Sequence, residues 1–136
     1  MKPMILLVMS LMMLGLAGCG SEVSVVVPIP IDIVSAPSIT FSQYSQDAGN
    51  AFVHGSVDFS APDSDIDTIT ISVFDSSGFV VERTVTPLTG LTGRTAGTIL
   101  FSIDYIAYRP DTYTFSVFLT DRAGFFSNAI YGSFVV

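Results

Sequence analysis

Three aspartates at alternate positions form the densest group of potential metal ligands in this 136-residue chain. Asp63, Asp65 and Asp67 lie between two apolar segments, which is typical of a loop. Carboxylate oxygens are the ligands that calcium prefers, and extracellular modules bind it with dissociation constants of about 0.1–1 mM. The spacing is not that of an EF-hand loop, whose twelfth position would be Phe74. The pattern therefore predicts either a calcium site of another kind or a turn in which the carboxylates cap their own backbone.

Side chains for acid–base or nucleophilic catalysis are scarce. His54 is the only histidine and Cys19 the only cysteine, and no serine lies in a G-x-S-x-G setting. His54 falls on the polar side of its predicted strand, where it faces solvent rather than a nucleophile. Paired carboxylates can hydrolyse glycosides, but a small domain with short loops offers no evident cleft to hold them. The sequence therefore predicts a protein that is not an enzyme.

The single cysteine instead ends a signal-like segment. Lys2 is followed by an uncharged apolar run over residues 4–16 and then by Leu16-Ala17-Gly18-Cys19. The run is too short for a permanent membrane span and has the layout of a secretory signal. The last four residues resemble the lipobox of bacterial lipoproteins. This resemblance implies a signal peptide over residues 1–18, cleavage between Gly18 and Cys19, and fatty acylation of Cys19, palmitate included. The alternative is an ordinary signal peptide with Cys19 merely nearby.

The resemblance also implies a location, a lipid anchor in the cell envelope. Gly20 and Ser21 follow the cysteine where an aspartate would favour the inner membrane, so the outer membrane is expected in a host with two membranes. Cleavage would remove Lys2, the only lysine, and leave four arginines against twelve acids, a formal charge of −8. Nucleic acid is excluded as a partner because phosphate contacts need clustered Lys and Arg.

The segment after the cleavage site is predicted to be an extended tether over residues 19–38. Pro28, Pro30 and Pro37 exclude a helix and disfavour a central strand, because each removes a backbone donor. The apolar residues between them are unusual for a solvated linker. Part of the segment is therefore an alternative candidate for pairing along a sheet edge.

Residues 39–136 alternate between apolar and polar side chains in six or seven short segments. Turn sequences separate the segments, among them D-S-S-G at 75–78 and D-R-A-G at 121–124. A period of two with Ser and Thr on one side is typical of half-buried antiparallel strands. The sequence predicts an all-β protein with a single antiparallel β-sandwich of about seven strands.

One of these strands begins with the D-x-Y pattern of a tyrosine corner, formed by Asp111 and Tyr113. With the following strand and the turn at 121–124, it makes residues 39–136 resemble the immunoglobulin-like and fibronectin-type-III-like domains of bacterial envelope proteins. The chain differs from antibody domains in lacking tryptophan and a cysteine pair. In such a topology the 63–67 loop and Asp121 lie at the same end, so Asp121 is the fourth candidate calcium ligand.

Six aromatic side chains fall on the outward side of the predicted strands or in loops: Phe52, Phe74, Phe118, Phe125, Phe126 and Tyr131. Exposed aromatic residues are enriched at binding hot spots, and the Phe125-Phe126 pair is the first candidate. The leading hypothesis is a lipid-anchored binding or scaffolding module for another envelope protein or a glycan, without a cofactor. The alternatives are a calcium-dependent adhesion-like domain and a passive structural spacer.

Overall fold

The computed structural model describes residues 35–136, and within this range the chain folds into seven strands. The predicted signal peptide, the predicted lipidation site Cys19 and most of the predicted tether lie outside the described residues. The strands are β1 (Ser38–Asp47), β2 (Phe52–Ser60), β3 (Ile66–Phe74), β4 (Val80–Pro87), β5 (Ala96–Asp104), β6 (Thr112–Asp121) and β7 (Ile130–Val135), with one 3₁₀ turn at Thr89–Leu91 between β4 and β5.

The strands form two antiparallel sheets, one with the order β1-β2-β5 and one with the order β4-β3-β6-β7. The chain crosses between the sheets after β2, β4 and β5, whereas β1–β2, β3–β4 and β6–β7 are hairpins within one sheet. This is an immunoglobulin-like β-sandwich, so the predicted fold class is confirmed. The fourth strand pairs with β3 rather than β5, so the sheets contain three and four strands.

The core lies between the sheets and is built by the alternate residues that the sequence pattern indicated. Phe115, at the centre of β6, is fully buried and packs edge-on against Tyr44 and Phe101. Two glycines make room for these rings, because a Cβ at Gly55 would collide with Phe101 and one at Gly132 with Phe115. The remaining buried apolar side chains include Val53, Val57, Phe59, Ile66, Ile69, Val73, Ile99, Ile103, Val117, Leu119 and Phe134.

Three small hydroxyl side chains on the outward side of the four-stranded sheet are buried, although their position predicts exposure. Thr70, Ser72 and Ser116 are each less than a tenth exposed. They lie in the middle strands, and longer side chains stand at the paired positions: Val85 opposite Thr70, Arg83 opposite Ser72, and Tyr131 opposite Ser116. Cross-strand neighbours stand about 5 Å apart, close enough for the longer side chains to cover the shorter ones.

No helix within residues 35–136 is long and apolar enough to cross a membrane.

Candidate functional site

The predicted acidic residues lie at one end of the sandwich, but each makes a different contact. Asp63, in the β2–β3 loop, accepts a hydrogen bond from the Ser35 N–H at 2.7 Å. Asp67 is exposed at the start of β3, where its carbonyl oxygen accepts from the Leu88 N–H at 2.7 Å. Asp65 precedes Ile66, which pairs with Asp121 across the sheet. The structure therefore brings Asp65 and Asp121 together and leaves Asp63 and Asp67 in separate roles.

Asp121 is turned into the protein and is only 2% exposed. Its Oδ1 accepts a hydrogen bond from the Phe125 N–H at 2.8 Å, and its own N–H donates to the Phe125 carbonyl oxygen at 3.0 Å. Gly124 completes this turn with a φ of 89°, which suits glycine. The second carboxylate oxygen, Oδ2, has no hydrogen-bond partner among the described residues. The side chain therefore closes a turn and carries one unsatisfied oxygen.

The neighbouring Asp65 is affected by this arrangement. Desolvation raises the pKa of Asp65 above its ordinary value, and the negative charges of Asp121 and Asp63 raise it further. Within residues 35–136, no group of three or more His, Cys, Asp or Glu side chains lies close enough together to hold a metal ion. Calcium prefers six to eight oxygen ligands, so the two gathered carboxylates are an incomplete set. Calcium binding by Asp63, Asp65, Asp67 and Asp121 stays a prediction.

The other end of the sandwich contains the D-x-Y residues. The buried ring of Tyr113 stacks on Phe134, and its hydroxyl donates to the Arg109 carbonyl oxygen at 2.9 Å. Asp111 accepts hydrogen bonds from the N–H and hydroxyl of Ser76 at 3.2 and 2.8 Å. The hydrogen bonds from Ser76 and from the Thr112 N–H lower the pKa of Asp111. Both side chains therefore connect the β5–β6 loop to its surroundings, and their contacts are structural.

His54 is exposed on the outer side of the three-stranded sheet, as its place in the strand predicts. Its ring stacks on Phe52 with a centroid distance of 5.5 Å. No described contact joins it to a nucleophile or to an orienting acid, so its surroundings do not form a hydrolytic triad.

Three aromatic side chains share the outward side of the four-stranded sheet, which we call the aromatic face: Phe118, Phe126 and Tyr131. Phe118 lies opposite Thr70, Tyr131 lies opposite Ser116, and Phe126 bridges to Thr120 at the end of β6. The rings of Phe118 and Phe126 meet edge to face at 5.6 Å. Phe126 is 64% and Tyr131 is 74% exposed, so this face presents large apolar rings to solvent.

The remaining outward aromatic residues differ in position. Phe125 precedes Phe126 in the same turn and is also exposed. Phe52 and Phe74 are half-buried, on the three-stranded and four-stranded sheets respectively. The Phe126 ring of the 121–127 turn thus stands beside Phe118, and the turn itself is closed by Asp121. The candidate binding surface therefore combines a sheet face with a turn whose shape depends on one buried carboxylate.

The two long sides of the sandwich are not alike. On one side, β1 and β7 are joined by side-chain amides that imitate strand pairing. Gln46 donates to the Val135 carbonyl oxygen at 2.6 Å and accepts from its N–H at 3.3 Å. Asn128 makes the corresponding pair with Ile39, at 3.1 and 2.8 Å. These contacts satisfy backbone groups at the two edges and close this side.

On the other side, β4 and β5 face each other across a groove of about 240 Å³. Its floor is apolar, formed by side chains of β3 and β5, and its rim on β4 is polar: Ile69, Ile71, Val73, Ile99, Phe101 and Ile103 below, and Glu82, Thr84 and Thr86 above. No hydrogen bond among the described residues joins the two strands. This side is therefore open.

Comparison with known proteins gives similarity in fold alone. No protein-family model matches this chain, and no curated protein matches it in sequence. A protein from Bacteroides fragilis assigned as a β-galactosidase is similar at 12% identity with a TM-score of 0.49. The match covers 74% of this chain but 17% of that one, so this chain spans less than a fifth of its length.

Two further solved structures are similar over most of their own length. A DUF3244 family protein with an immunoglobulin-like β-sandwich fold, from Bacteroides vulgatus, is 14% identical with a TM-score of 0.36, covering 74% of this chain and 98% of that one. A hypothetical protein from Pyrococcus horikoshii is 13% identical with a TM-score of 0.39, covering 73% and 85%. Nothing about function follows from these similarities.

Two features of the site were not predicted from the sequence. The first is the burial of Asp121, although the strand pattern contains a signal for it, because Asp121 shares the inward parity of Tyr113, Phe115 and Leu119. The second is the open β4–β5 side, for which the sequence contains one weaker signal. The apolar Leu100 is at an outward position of β5, which lies at a sheet edge in the structure.

Proposed function

We propose that this protein is a lipid-anchored, non-catalytic binding module of the cell envelope, which contacts another envelope protein or a glycan through its aromatic face. The observation that carries the proposal is the exposure of Phe126 and Tyr131 beside Phe118 on one sheet face. Aromatic side chains bury a large apolar area at low entropic cost, and for this reason they dominate binding hot spots. The attachment to the membrane is supported by the sequence Leu16-Ala17-Gly18-Cys19.

The composition around the face agrees with a protein or glycan partner. The chain has no lysine outside the signal-like segment and an excess of acids, so anionic polymers are poor partners. The residues paired with Phe118 and Tyr131 on this face, Thr70 and Ser116, are small and buried, so the rings dominate the exposed surface. Exposed rings of this kind can pack against a sugar ring or an apolar side chain.

The test compares envelope binding by the wild-type full chain and three variants of it. Crosslinking in intact envelopes followed by mass spectrometry identifies the partner, and a glycan array tests sugars. The Phe125→Ala/Phe126→Ala and Tyr131→Ala variants are expected to lose capture while keeping the wild-type melting temperature. Phe79→Ala is the matched control, because it removes an equally exposed ring from the β3–β4 turn.

The passive spacer hypothesis makes the opposite prediction. A spacer has no partner that depends on the aromatic face, so all variants would give the same crosslinks as the wild type. Equal capture by wild type and Tyr131→Ala, at equal stability, would reject the proposed surface.

A further inference from the structure

The edge strand β5 lacks the devices by which sheets avoid pairing with other strands. Residues 96–103 of β5 carry no charge and no proline, and the outward Leu100 is 80% exposed. Natural edge strands are protected by charged side chains, proline, bulges or a covering segment. The opposite edge strand of this groove, β4, contains Glu82, Arg83 and Pro87. Among the described strands, β5 is therefore the edge best suited to accept another strand.

On the β1–β7 side, by contrast, side chains form hydrogen bonds with the backbone groups of the edge strands. There, Gln46 and Asn128 supply donors and acceptors to the backbone of Val135 and Ile39. Tyr44 adds an acceptor for the Ser133 N–H at 3.2 Å. No described side chain does this for β5, whose only described strand partner is β2, on its other edge. The absence of such hydrogen bonds on the β4–β5 side among the described residues is a second reason, besides its exposure, to choose β5 as the strand that accepts a partner.

We infer that β5 binds an extended segment of a partner polypeptide, which adds to the sheet as an antiparallel strand and lays alternate aliphatic side chains into the β4–β5 groove. Strand addition draws affinity from main-chain hydrogen bonds and specificity from pockets for alternate side chains. The groove volume of about 240 Å³ and its apolar floor suit one or two aliphatic side chains. The inference concerns a different surface from the aromatic face and does not rest on it.

Charge at the two ends of the groove sets the direction and the composition of the segment. Asp104 ends β5, and Glu82 stands at the rim near the same end, held by hydrogen bonds from Tyr108 and Thr84. Arg94 lies just before the start of β5, at the other end. An antiparallel segment begins beside Asp104 and ends beside Arg94. Its first residues are therefore expected to be basic, and acidic residues at that end would be repelled.

A second copy of this chain fits the edge less well than such a segment. Two β5 strands paired with each other would bring two acidic domains together, each with a formal charge of −8 on the chain from Cys19 onward. Their own inward side chains already fill the core and would leave the groove empty. A partner segment with basic first residues would complement the acidic end of the groove, and its alternate side chains would fill the groove.

The test uses the full chain and a fluorescent synthetic peptide of alternating valine and threonine with two lysines at its amino end. We expect saturable binding by fluorescence anisotropy. Moving the lysines to the carboxyl end, or replacing them with glutamate, should weaken binding about tenfold. Methylating the backbone nitrogens on one edge of the peptide removes ladder hydrogen bonds without changing side chains, and should weaken binding at least about tenfold.

Two variants of the protein locate the site. Thr84→Arg places a large cation in the groove and should weaken peptide binding at least about tenfold. Val135→Arg places the same residue on the exposed part of the closed β7 edge, and should leave binding within about twofold. No binding of the peptide, equal binding by both variants, or equal binding of the methylated peptide would overturn the inference. A dimer that Leu100→Lys dissociates would overturn it too, because a second copy would then occupy the edge.

Discussion

Asp121 and Phe125 close the turn that presents the two loop phenylalanines, through a hydrogen bond of 2.8 Å from the Phe125 N–H to Oδ1 of Asp121. The same carboxylate has a second, buried oxygen without a partner. A buried group of this kind is costly unless its hydrogen bonds are made, so the turn is stabilised by one oxygen and destabilised by the other. The shape of the candidate binding surface therefore depends on a residue whose own side chain is buried.

Replacement of Asp121 should separate these two contributions. Asp121→Ala removes the acceptor of the partly buried Phe125 N–H and should lower the free energy of unfolding by about 1–3 kcal/mol. Asp121→Asn keeps an acceptor of the same shape and removes the charge, so its stability should stay within about 1 kcal/mol of the wild type. Urea denaturation of the two variants measures the difference. Equal losses of unfolding free energy in the two variants would show that the hydrogen bond from the Phe125 N–H does not account for the stabilisation by Asp121.

Asp65 should make the protein less stable at neutral pH than in mild acid, relative to a variant without this carboxyl. Desolvation and the charges of Asp121 and Asp63 raise its pKa in the folded state above 3.8. The folded state then binds the proton more tightly than the unfolded state, and deprotonation above the folded pKa costs stability. Asp65→Asn should therefore raise the melting temperature at pH 7 and change it little at pH 3.

The comparison with wild type at each pH is essential to that experiment. Hydrogen bonds to Asp47, Asp75 and Asp111 lower the pKa values of these carboxyls, so their stabilisation is lost as pH falls through the folded pKa. The whole protein is therefore expected to lose stability in acid, while the difference between wild type and Asp65→Asn shrinks. Asp67→Asn, two residues further on at the exposed start of β3, serves as the control. A gain for Asp65→Asn that persists at pH 3 would contradict the assignment.

Tyr113 should contribute stability through its hydroxyl as well as through its ring. The hydroxyl donates to the Arg109 carbonyl oxygen four residues upstream, while the ring packs on Phe134. Tyr113→Phe keeps the packing and removes the hydrogen bond, and should lower the free energy of unfolding by about 1 kcal/mol. Tyr108→Phe is a useful comparison, since its hydroxyl donates to the rim residue Glu82 rather than to the backbone. Unchanged stability of Tyr113→Phe would mean that the corner is maintained by packing alone.

The alternation of side chains predicted most of this fold, because period-two burial is a local property of a strand. Val53, Val57 and Phe59 are buried and His54 is exposed, as the pattern indicated. Which sheet a strand joins is not local, so the pairing of β4 with β3 could not be derived. The side-chain hydrogen bonds of Gln46 and Asn128 join residues 89 positions apart, and no sequence spacing reveals them.

The candidate site was predicted less completely than the fold, for a related reason. The topology does bring Asp65 and Asp121 to one end of the sandwich. The acidic pattern, however, did not reveal that Asp121 points inward, which follows from its parity with Leu119 in β6 and places it where it closes the turn at 121–125. The exposure of Phe126 and Tyr131 could be anticipated from strand parity, whereas their grouping with Phe118 needed the register of β6 and β7.

Gly55 should be among the least replaceable residues of the core. A Cβ at this position would collide with the ring of Phe101 from the neighbouring strand. Gly55→Ala should lower the free energy of unfolding by about 1–3 kcal/mol, the usual cost of overpacking a close-packed core. Gly90→Ala is the matched control, since nothing lies within 4 Å of its added methyl group. Equal melting temperatures for the two variants would show that the Phe101 ring moves aside without cost.

Cys19 should determine where the protein is found. If a lipid is attached to its sulfur and its amino group is acylated, several chains anchor the protein, and each buried methylene contributes about 0.8 kcal/mol. A single chain gives only marginal binding, so partial acylation would release a soluble fraction. Cys19→Ala removes the sulfur and should abolish incorporation of radiolabelled palmitate. Most of the protein should then move from the detergent phase to the aqueous phase, whereas Ser21→Ala should behave as wild type. Unchanged labelling of Cys19→Ala would refute the lipid anchor and with it the membrane-bound part of the proposed function.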